Sequence, residues 1–174
     1  LSVATLSRYL GGTRRLVRVM PNTPAQVGEG VAGLFAADDV NAADRARAEA
    51  IIAASCRLTF WLNDEAQMHA VTAVSGSGSA YVFYLMNALQ QAAQDLGFGA
   101  DAARALSLQT FRGAVELAAQ SGADFAALQD TVTSKGGTTF AALETFRQHH
   151  LAEHFCDGVN AAAARSAELG KALA

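Results

Sequence analysis

Between Thr133 and Thr139 the chain reads TSKGGTT, and it runs directly into FAALETF, which has the texture of a helix. Glycine tolerates positive φ, so the pair Gly136 and Gly137 allows backbone N–H groups to turn inward. The first N–H groups of the following helix lack internal acceptors and carry partial positive charge. Together these features describe a cradle for a small anion such as a carboxylate or phosphate. Thr138 and Thr139 add hydroxyls placed to cap the helix or to touch a ligand. The same residues also suit an ordinary capped loop between two helices, and their types alone do not separate the two readings.

Such a loop needs a scaffold, and the composition bounds what that scaffold is. A chain of 174 residues makes one large domain or two small ones, and with 51% hydrophobic residues it can bury a sizeable core. The formal net charge is −3 and only 17% of residues are charged, which argues against a nucleic-acid binder with its basic face. Alanine is abundant and proline occurs only at Pro21 and Pro24, which favours helices. Cys56 and Cys156 lie far apart and match no disulfide or zinc spacing. No run of about twenty apolar residues is present, and no signal peptide is read; a reducing cytoplasm is the expected setting. The chain does not begin with methionine, which is consistent with processing or with a piece of something longer.

Two textures divide the chain. From Leu1 to about Leu62, helical and β-rich stretches alternate: a short helix over Ser2–Leu10, a strand over Arg15–Met20, a strand over Gly30–Ala36, a helix over Asp44–Ala54 and a strand over Arg57–Leu62. This alternation predicts an α/β unit. No G-x-G-x-x-G is read in this segment, so no dinucleotide phosphate loop is expected in the chain, and a Rossmann-type domain would be represented only by its tail. After Asp64 the pattern is helical. Helices are predicted over Glu65–Val74, Ser79–Leu96, Asp101 (as N-cap) to Gln120, Asp124 (as N-cap) to Leu128, Thr138 or Thr139 to Gln148, and Ala152–Leu169 with Gly170 behind it. Many of their stripes are rich in alanine and shallow, and Gly76 and Gly78 leave room for close backbone approach. A bundle of this kind suits burial against a second subunit.

VTSKGGTTFAALETF, Val132 to Phe146, closely resembles the signature of the pyrroline-5-carboxylate reductases. MPNTP, Met20 to Pro24, resembles the turn after a late strand of that family's nucleotide domain. AVSGSGSAYVFYLMNAL, Ala73 to Leu89, resembles the start of its long dimerisation helix. The three motifs occur in the family's order and spacing, and the resemblance covers the whole chain. It implies an α/β tail of a Rossmann-type nucleotide domain at residues 1–63, followed by an all-α helical substrate-binding and dimerisation domain at 64–174. The family's N-terminal half, with its glycine-rich phosphate loop, is not in this chain, so the chain alone is expected to be incomplete for cofactor binding.

The resemblance also implies a chemistry. Hydride from NADPH, or NADH, adds to the imine carbon of a small cyclic imine carboxylate, 1-pyrroline-5-carboxylate, and yields L-proline. Such a site needs an anion cradle, a hydrogen bond to the ring nitrogen and a surface that places the nicotinamide in reach. By resemblance, Ser134, Gly136, Gly137, Thr138 and Thr139 hold the substrate, with Thr139 as the hydroxyl nearest the imine nitrogen and therefore the catalytic candidate. A threonine hydroxyl does not ionise near neutral pH, so it suits an orienter or relay better than a free acid. Glu65 matches an acidic position near the substrate; its alternative role is a favourable charge at a helix N-terminus. Met20, Pro21 and Asn22 match the nicotinamide side of the cofactor site, and Asn22 between two prolines is also good turn chemistry. Thr131 stands where relatives carry an asparagine close to the cofactor. Ser79 and Lys135 stand where proline is usual.

His150 and His154, four apart with His149 adjacent, would share a helix face, but no metal motif accompanies them and no metal site is expected. Tyr81, Phe83, Tyr84 and Cys156 are expected as packing residues. The implied assembly is a homodimer or a higher oligomer of dimers, with no nucleic-acid or membrane partner. Two alternatives stand beside the reductase: a noncatalytic helical oligomerisation module, and a related Rossmann-plus-helical dehydrogenase acting on another small acid. The first would need no anion cradle; the second would be expected to carry a lysine or histidine acid–base residue in a helical-domain motif.

Overall fold

The computed structural model describes residues 1–172. By packing, these form two compact units. One comprises Leu1–Ala80 with the chain from Asp157 onward, and the other is Tyr81–Cys156.

The first unit is built on a three-stranded sheet of order β1-β2-β3, with β1 Val17–Pro21, β2 Gly30–Ala36 and β3 Cys56–Trp61. β1 and β2 pair antiparallel, Met20 opposite Gly33, and β2 and β3 pair parallel with an irregularity between Gly30 and Val31. The parallel pair is joined through α2, Ala42–Ala53, as a parallel connection requires. Ala32, Leu34 and Cys56 form the buried centre, with Val17, Val19, Ala25, Ile52 and Trp61 packed around them. β2 is apolar along its whole length because α2 and the helix α3, Gln67–Val71, both pack on it. Gly33 makes the second contact possible, since a Cβ there would lie 3.0 Å from the Val71 side chain. Glu49 of α2 accepts from Trp61 Nε1 at 3.2 Å and from Thr59 Oγ1 at 3.3 Å, tying α2 to β3.

α1, Val3–Tyr9, starts from Ser2, whose hydroxyl accepts from the Thr5 N–H. β2 falls as expected, whereas β1 begins at Val17 rather than Arg15 and includes Pro21, and β3 starts at Cys56 and ends at Trp61, one residue early at each end. α2 starts earlier than expected, because Asn41 rather than Asp44 occupies the cap and accepts the Asp44 N–H at 2.9 Å. The predicted Glu65–Val74 helix is shorter and irregular: α3 passes into a π-helical turn at Thr72–Gly76, where Ser77 N–H reaches back to the Thr72 carbonyl. Thr72 and Ser75 donate their hydroxyls back to the Met68 and Val71 carbonyls, four residues earlier in each case.

The helical series continues with α4 Gly78–Asp95, α5 Ala100–Ser121, α6 Phe125–Thr131, α7 Thr138–Gln148 and α8 Leu151–Ala172. Asp124 caps α6 through the Ala126 N–H, and Gly122 closes α5 in the left-handed conformation. Two cap expectations are corrected. Gly99, not Asp101, precedes α5, so Asp101 supplies charge in the first turn instead; and α8 continues through Gly170. In the second unit only Ala103 and Ser107 are buried, and Phe83, Tyr84, Val115, Leu117 and Phe125 are all more than half exposed. Cys156, expected to be buried, is exposed, because this chain does not cover that face of α8.

Candidate functional site

The loop between α6 and α7 is held from both ends. Thr131 Oγ1 donates to the Leu128 carbonyl and Thr133 Oγ1 to the Gln129 carbonyl, both at 2.6 Å, so these hydroxyls are committed to the last turn of α6. The Gly137 N–H donates to the Ser134 carbonyl at 2.9 Å and closes the turn. Each glycine of the pair has its own reason. Gly136 sits at φ +72, the left-handed region. Gly137 is extended, but a Cβ there would stand 3.1 Å from the Ser134 carbonyl oxygen.

Gly137 is the N-cap of α7, and no side chain caps that end. The expectation that Thr138 or Thr139 caps the helix is therefore corrected: they are the first and second residues inside it, in the first turn, and are exposed. A cap residue must sit outside the helical φ/ψ range, and Gly137 has taken that place. The cradle is also narrower than a span from Ser134 to Thr139, since the Gly137 N–H is used within the loop. Helix geometry leaves the N–H groups of Thr138, Thr139 and Phe140 without intrahelical acceptors, and these are the donors an anion would meet.

Met20, Pro21, Asn22 and Glu65 belong to the sheet unit. Thr131, Ser134, Gly136, Gly137, Thr138 and Thr139 belong to the helical unit. Asn22 carries the ladder past the end of β1. Its N–H donates to the Val31 carbonyl at 3.2 Å, while its own carbonyl turns away to accept the Ala25 N–H. Its side-chain Oδ1 replaces that lost acceptor and takes the Val31 N–H at 2.8 Å. Asn22 thus locks the turn that follows Met20 and Pro21. Glu65 is neither bare nor a simple helix-end charge. Its Oε1 accepts from Arg18 Nη1 at 2.9 Å and from the Val3 N–H at 2.7 Å, linking β1, α1 and the approach to α3. Arg18, which drew no attention in the sequence, is on the same face of β1 as Met20, two residues before it.

In the same unit a cavity of about 370 Å³ is lined by Met20, Thr72, Ser77, Arg18, His69 and Arg165, among others. His69 Nδ1 lies 2.9 Å from Ser166 Oγ, and its ring packs where a Cβ on Gly170 would come within 3.1 Å. In the helical unit a larger, mostly apolar cavity of about 640 Å³ runs along Leu85, Leu143, Phe146, Leu151 and Phe155.

The glycine spacing of a dinucleotide phosphate loop does occur in this chain, at Gly28, Gly30 and Gly33, and it escaped the sequence reading. It forms no such loop. Gly28 ends a short 3₁₀ turn at φ +78, and Gly30 and Gly33 lie within β2, so no helix N-terminus follows to receive a pyrophosphate. A Cβ on Gly30 would meet Cys56 Sγ at 2.7 Å and Ala25 Cα at 2.8 Å, and one on Gly33 would meet Val71 at 3.0 Å; these two glycines serve close packing, and Gly28 serves its turn.

Among the described residues no group of three His, Cys, Asp or Glu side chains is arranged to hold a metal ion. His150, at φ +52, leads into α8 and faces Glu153 across 3.4 Å. A hydrogen bond to its own backbone N–H, and then the His150 contact, hold the Glu153 carboxyl below its ordinary range. Among the described residues no helix is long and apolar enough to cross a membrane.

A β–α–β sheet fragment leading into helices with open apolar faces defines a class: the tail of a nucleotide-type domain joined to an assembly domain. Comparison with known proteins is specific. Residues 65–169 match the family profile described as pyrroline-5-carboxylate reductase dimerisation. The chain is 44% identical over 170 residues to a pyrroline-5-carboxylate reductase of Pseudomonas aeruginosa, covering 98% of this chain and 62% of the relative. It is 41% identical to the Haemophilus influenzae protein of that name, over 97% of this chain and 62% of the relative. Among solved structures, the Coxiella burnetii pyrroline-5-carboxylate reductase superposes with a TM-score of 0.90 at 39% identity, covering 97% of this chain and 62% of that one. The Plasmodium falciparum pyrroline carboxylate reductase, solved with NADP bound, gives 0.88 at 30% identity, covering 98% and 68%. The chain belongs to the pyrroline-5-carboxylate reductase family, and it spans 62% of the length of the curated relatives named here.

Proposed function

We propose that the protein carrying this chain reduces 1-pyrroline-5-carboxylate to L-proline with NADPH or NADH, the last step of proline biosynthesis, in the cytoplasm and as a homodimer or an oligomer of dimers. In this reading residues 1–63 complete a dinucleotide-binding domain and 64–174 form the helical substrate-binding and dimerisation domain. The observation that carries the reading is the end of α7. A Gly136–Gly137 turn delivers an N-terminus with no side-chain cap, inside a stretch that matches the family in order and spacing. An uncapped helix start offers several N–H donors and partial positive charge to a carboxylate.

The Thr138, Thr139 and Phe140 N–H groups then bind the substrate carboxylate, with Ser134, Gly136 and Gly137 shaping the turn. The Thr139 hydroxyl orients the imine nitrogen and passes it a hydrogen bond. Glu65 contributes as half of the Glu65–Arg18 pair rather than as an isolated carboxylate. The chain's own residues fit one end of the cofactor. Met20 supplies an apolar wall beside a cavity that also carries the Thr72 and Ser77 hydroxyls, and Asn22 and Pro21 form the turn that follows Met20. The role of Thr131, in the helical unit, as a cofactor contact rests on the family resemblance alone. When bound, the reduced nicotinamide supplies the hydride. The pyrophosphate contacts come from outside this chain, because its glycine spacing runs from a 3₁₀ turn into a strand and meets no helix N-terminus. Large exposed apolar side chains on α4, α5 and α6 support assembly with a second copy.

The test is direct. The full-length protein, given 1-pyrroline-5-carboxylate and NADPH, should consume the two in equal amounts and form L-proline. NADPH that stays unoxidised under conditions where a known reductase of this family turns over would reject the proposal.

A further inference from the structure

Gly76 closes the π-helical turn of the sheet unit, directly against β1. A Cβ built on it would lie 2.8 Å from Met20 Cε, with Thr72 Cγ2 at 3.8 Å and the Val71 carbonyl oxygen at 3.9 Å. The conflict is thus with the free end of one flexible side chain and with no backbone atom. Gly76 does not need glycine for its φ, since it is not among the described residues that adopt positive values. Its missing side chain therefore serves one contact, the seat of the Met20 methyl. Met20 is also a wall of the cavity shared with Thr72 and Ser77, residues of the same turn and the position just after it. A methyl group driven off Gly76 moves along the only compliant coordinate, the Met20 side chain, and that side chain borders the cavity.

We infer that Gly76 is a positioning residue: it holds Met20 back against the π turn and so keeps the surface beside Asn22 open for the flat ring of a reduced nicotinamide nucleotide. This rests on the proposed role of Met20 in cofactor binding and adds the residue that sets the Met20 conformation. The π turn is part of the device. By inserting one residue into the helix it turns the Gly76 backbone toward β1, whereas the hydroxyl bonds of Thr72 and Ser75 keep the widened turn closed.

The experiment uses the full-length protein and titrates NADPH by its own fluorescence, with thermal melting followed by circular dichroism as the control for folding. Gly76→Ala should weaken NADPH binding by about threefold or more while the melting temperature stays close to that of the parent. Met20→Val removes the terminal methyl, so in that background Gly76→Ala should change affinity by less than about twofold. Equal affinity of Gly76→Ala and the parent overturns the inference, provided Met20→Glu abolishes binding. If Met20→Glu also binds as the parent does, the assignment of Met20 to the cofactor face fails, and the inference with it. Should Gly76→Ala not fold, a folded double variant that binds like Met20→Val supports the contact, and an unfolded one overturns it.

Discussion

Removing Glu65 tests how much of the sheet unit hangs on one carboxylate oxygen. Glu65 Oε1 accepts from Arg18 Nη1 at 2.9 Å and from the Val3 N–H at 2.7 Å, and the two side chains are 27% and 17% exposed. At that burial the pair is neither a solvated surface bridge nor a fully desolvated one. Glu65→Ala leaves a mostly covered guanidinium without its carboxylate and a backbone N–H without its acceptor. Hydrogen bonds to charged groups contribute about 1.5–3 kcal/mol each, and partial solvent access to the orphaned groups reduces the sum, so a loss of about 1.5–3 kcal/mol is expected. For a chain of this size that corresponds to a fall of roughly 3–12 °C in melting temperature. Glu65→Gln keeps an acceptor oxygen but no charge, and should cost about half as much. Trp61 is the single tryptophan of this chain and lies in β3, so its emission during urea unfolding reads the sheet unit itself. A double-mutant cycle with Arg18→Met should show a coupling of about 1 kcal/mol or more. The reasoning fails if both Glu65 variants unfold within about 0.3 kcal/mol of the parent, since the pair would then do no more than an exposed one.

In the full-length protein, Thr139→Val keeps volume and branching but removes the hydroxyl, so turnover should fall roughly ten- to a hundredfold with little change in apparent substrate affinity; Thr138→Ala should do less, and the reverse order in steady-state kinetics would reassign the two hydroxyls. Gly137→Val places a Cβ against the Ser134 carbonyl oxygen at 3.1 Å, so it should raise the Michaelis constant for the imine more than it lowers turnover. Light scattering of this chain at micromolar concentration should give a dimer or a multiple of it, and a well-folded monomer would contradict the reading of its exposed helix faces. Tyr81 packs edge-on against Phe155, but its buried hydroxyl has no hydrogen-bond partner, so Tyr81→Phe should leave the melting temperature unchanged or raise it by up to a few degrees. A clear drop would mean that the hydroxyl finds an acceptor in the assembled protein.

The strands were legible because alternation, a proline after Met20 and glycines at their ends act over a few residues, and local sterics decide them. The helices from α4 onward were legible for the same reason, since Asp124, Gly122 and the long alanine-rich runs specify caps and propensity without reference to neighbours. The Gly136–Gly137 turn before α7 belongs to this group too: its residue types state that a sharp turn meets a helix start there. That the loop suits a small anion followed from the same residue types; which anion came from family resemblance.

Other features were decided only by residues far apart in the chain. Cap choice at α7 and α5 turned on which residue reached the non-helical position first, a difference of one or two residues that propensity does not resolve. The π turn at Thr72–Gly76 follows directly on the contact of α3 with β2, Val71 on Gly33, and itself meets β1, Gly76 on Met20; neither contact is visible along the sequence. Gly28, Gly30 and Gly33 have the spacing of a phosphate loop, yet Gly28 closes a 3₁₀ turn at positive φ and the sheet claims the other two, where Cys56 and Ala25 crowd Gly30 and Val71 crowds Gly33. The partners of Glu65 and the exposure of Cys156 are likewise properties of assembled surfaces. The sequence by itself determined the elements, the family and the character of the α7 turn, because local backbone sterics and a motif suffice for these; tertiary structure decided which glycines make room, which carboxylate is tied down and which apolar faces stay open, because those depend on what packs against them.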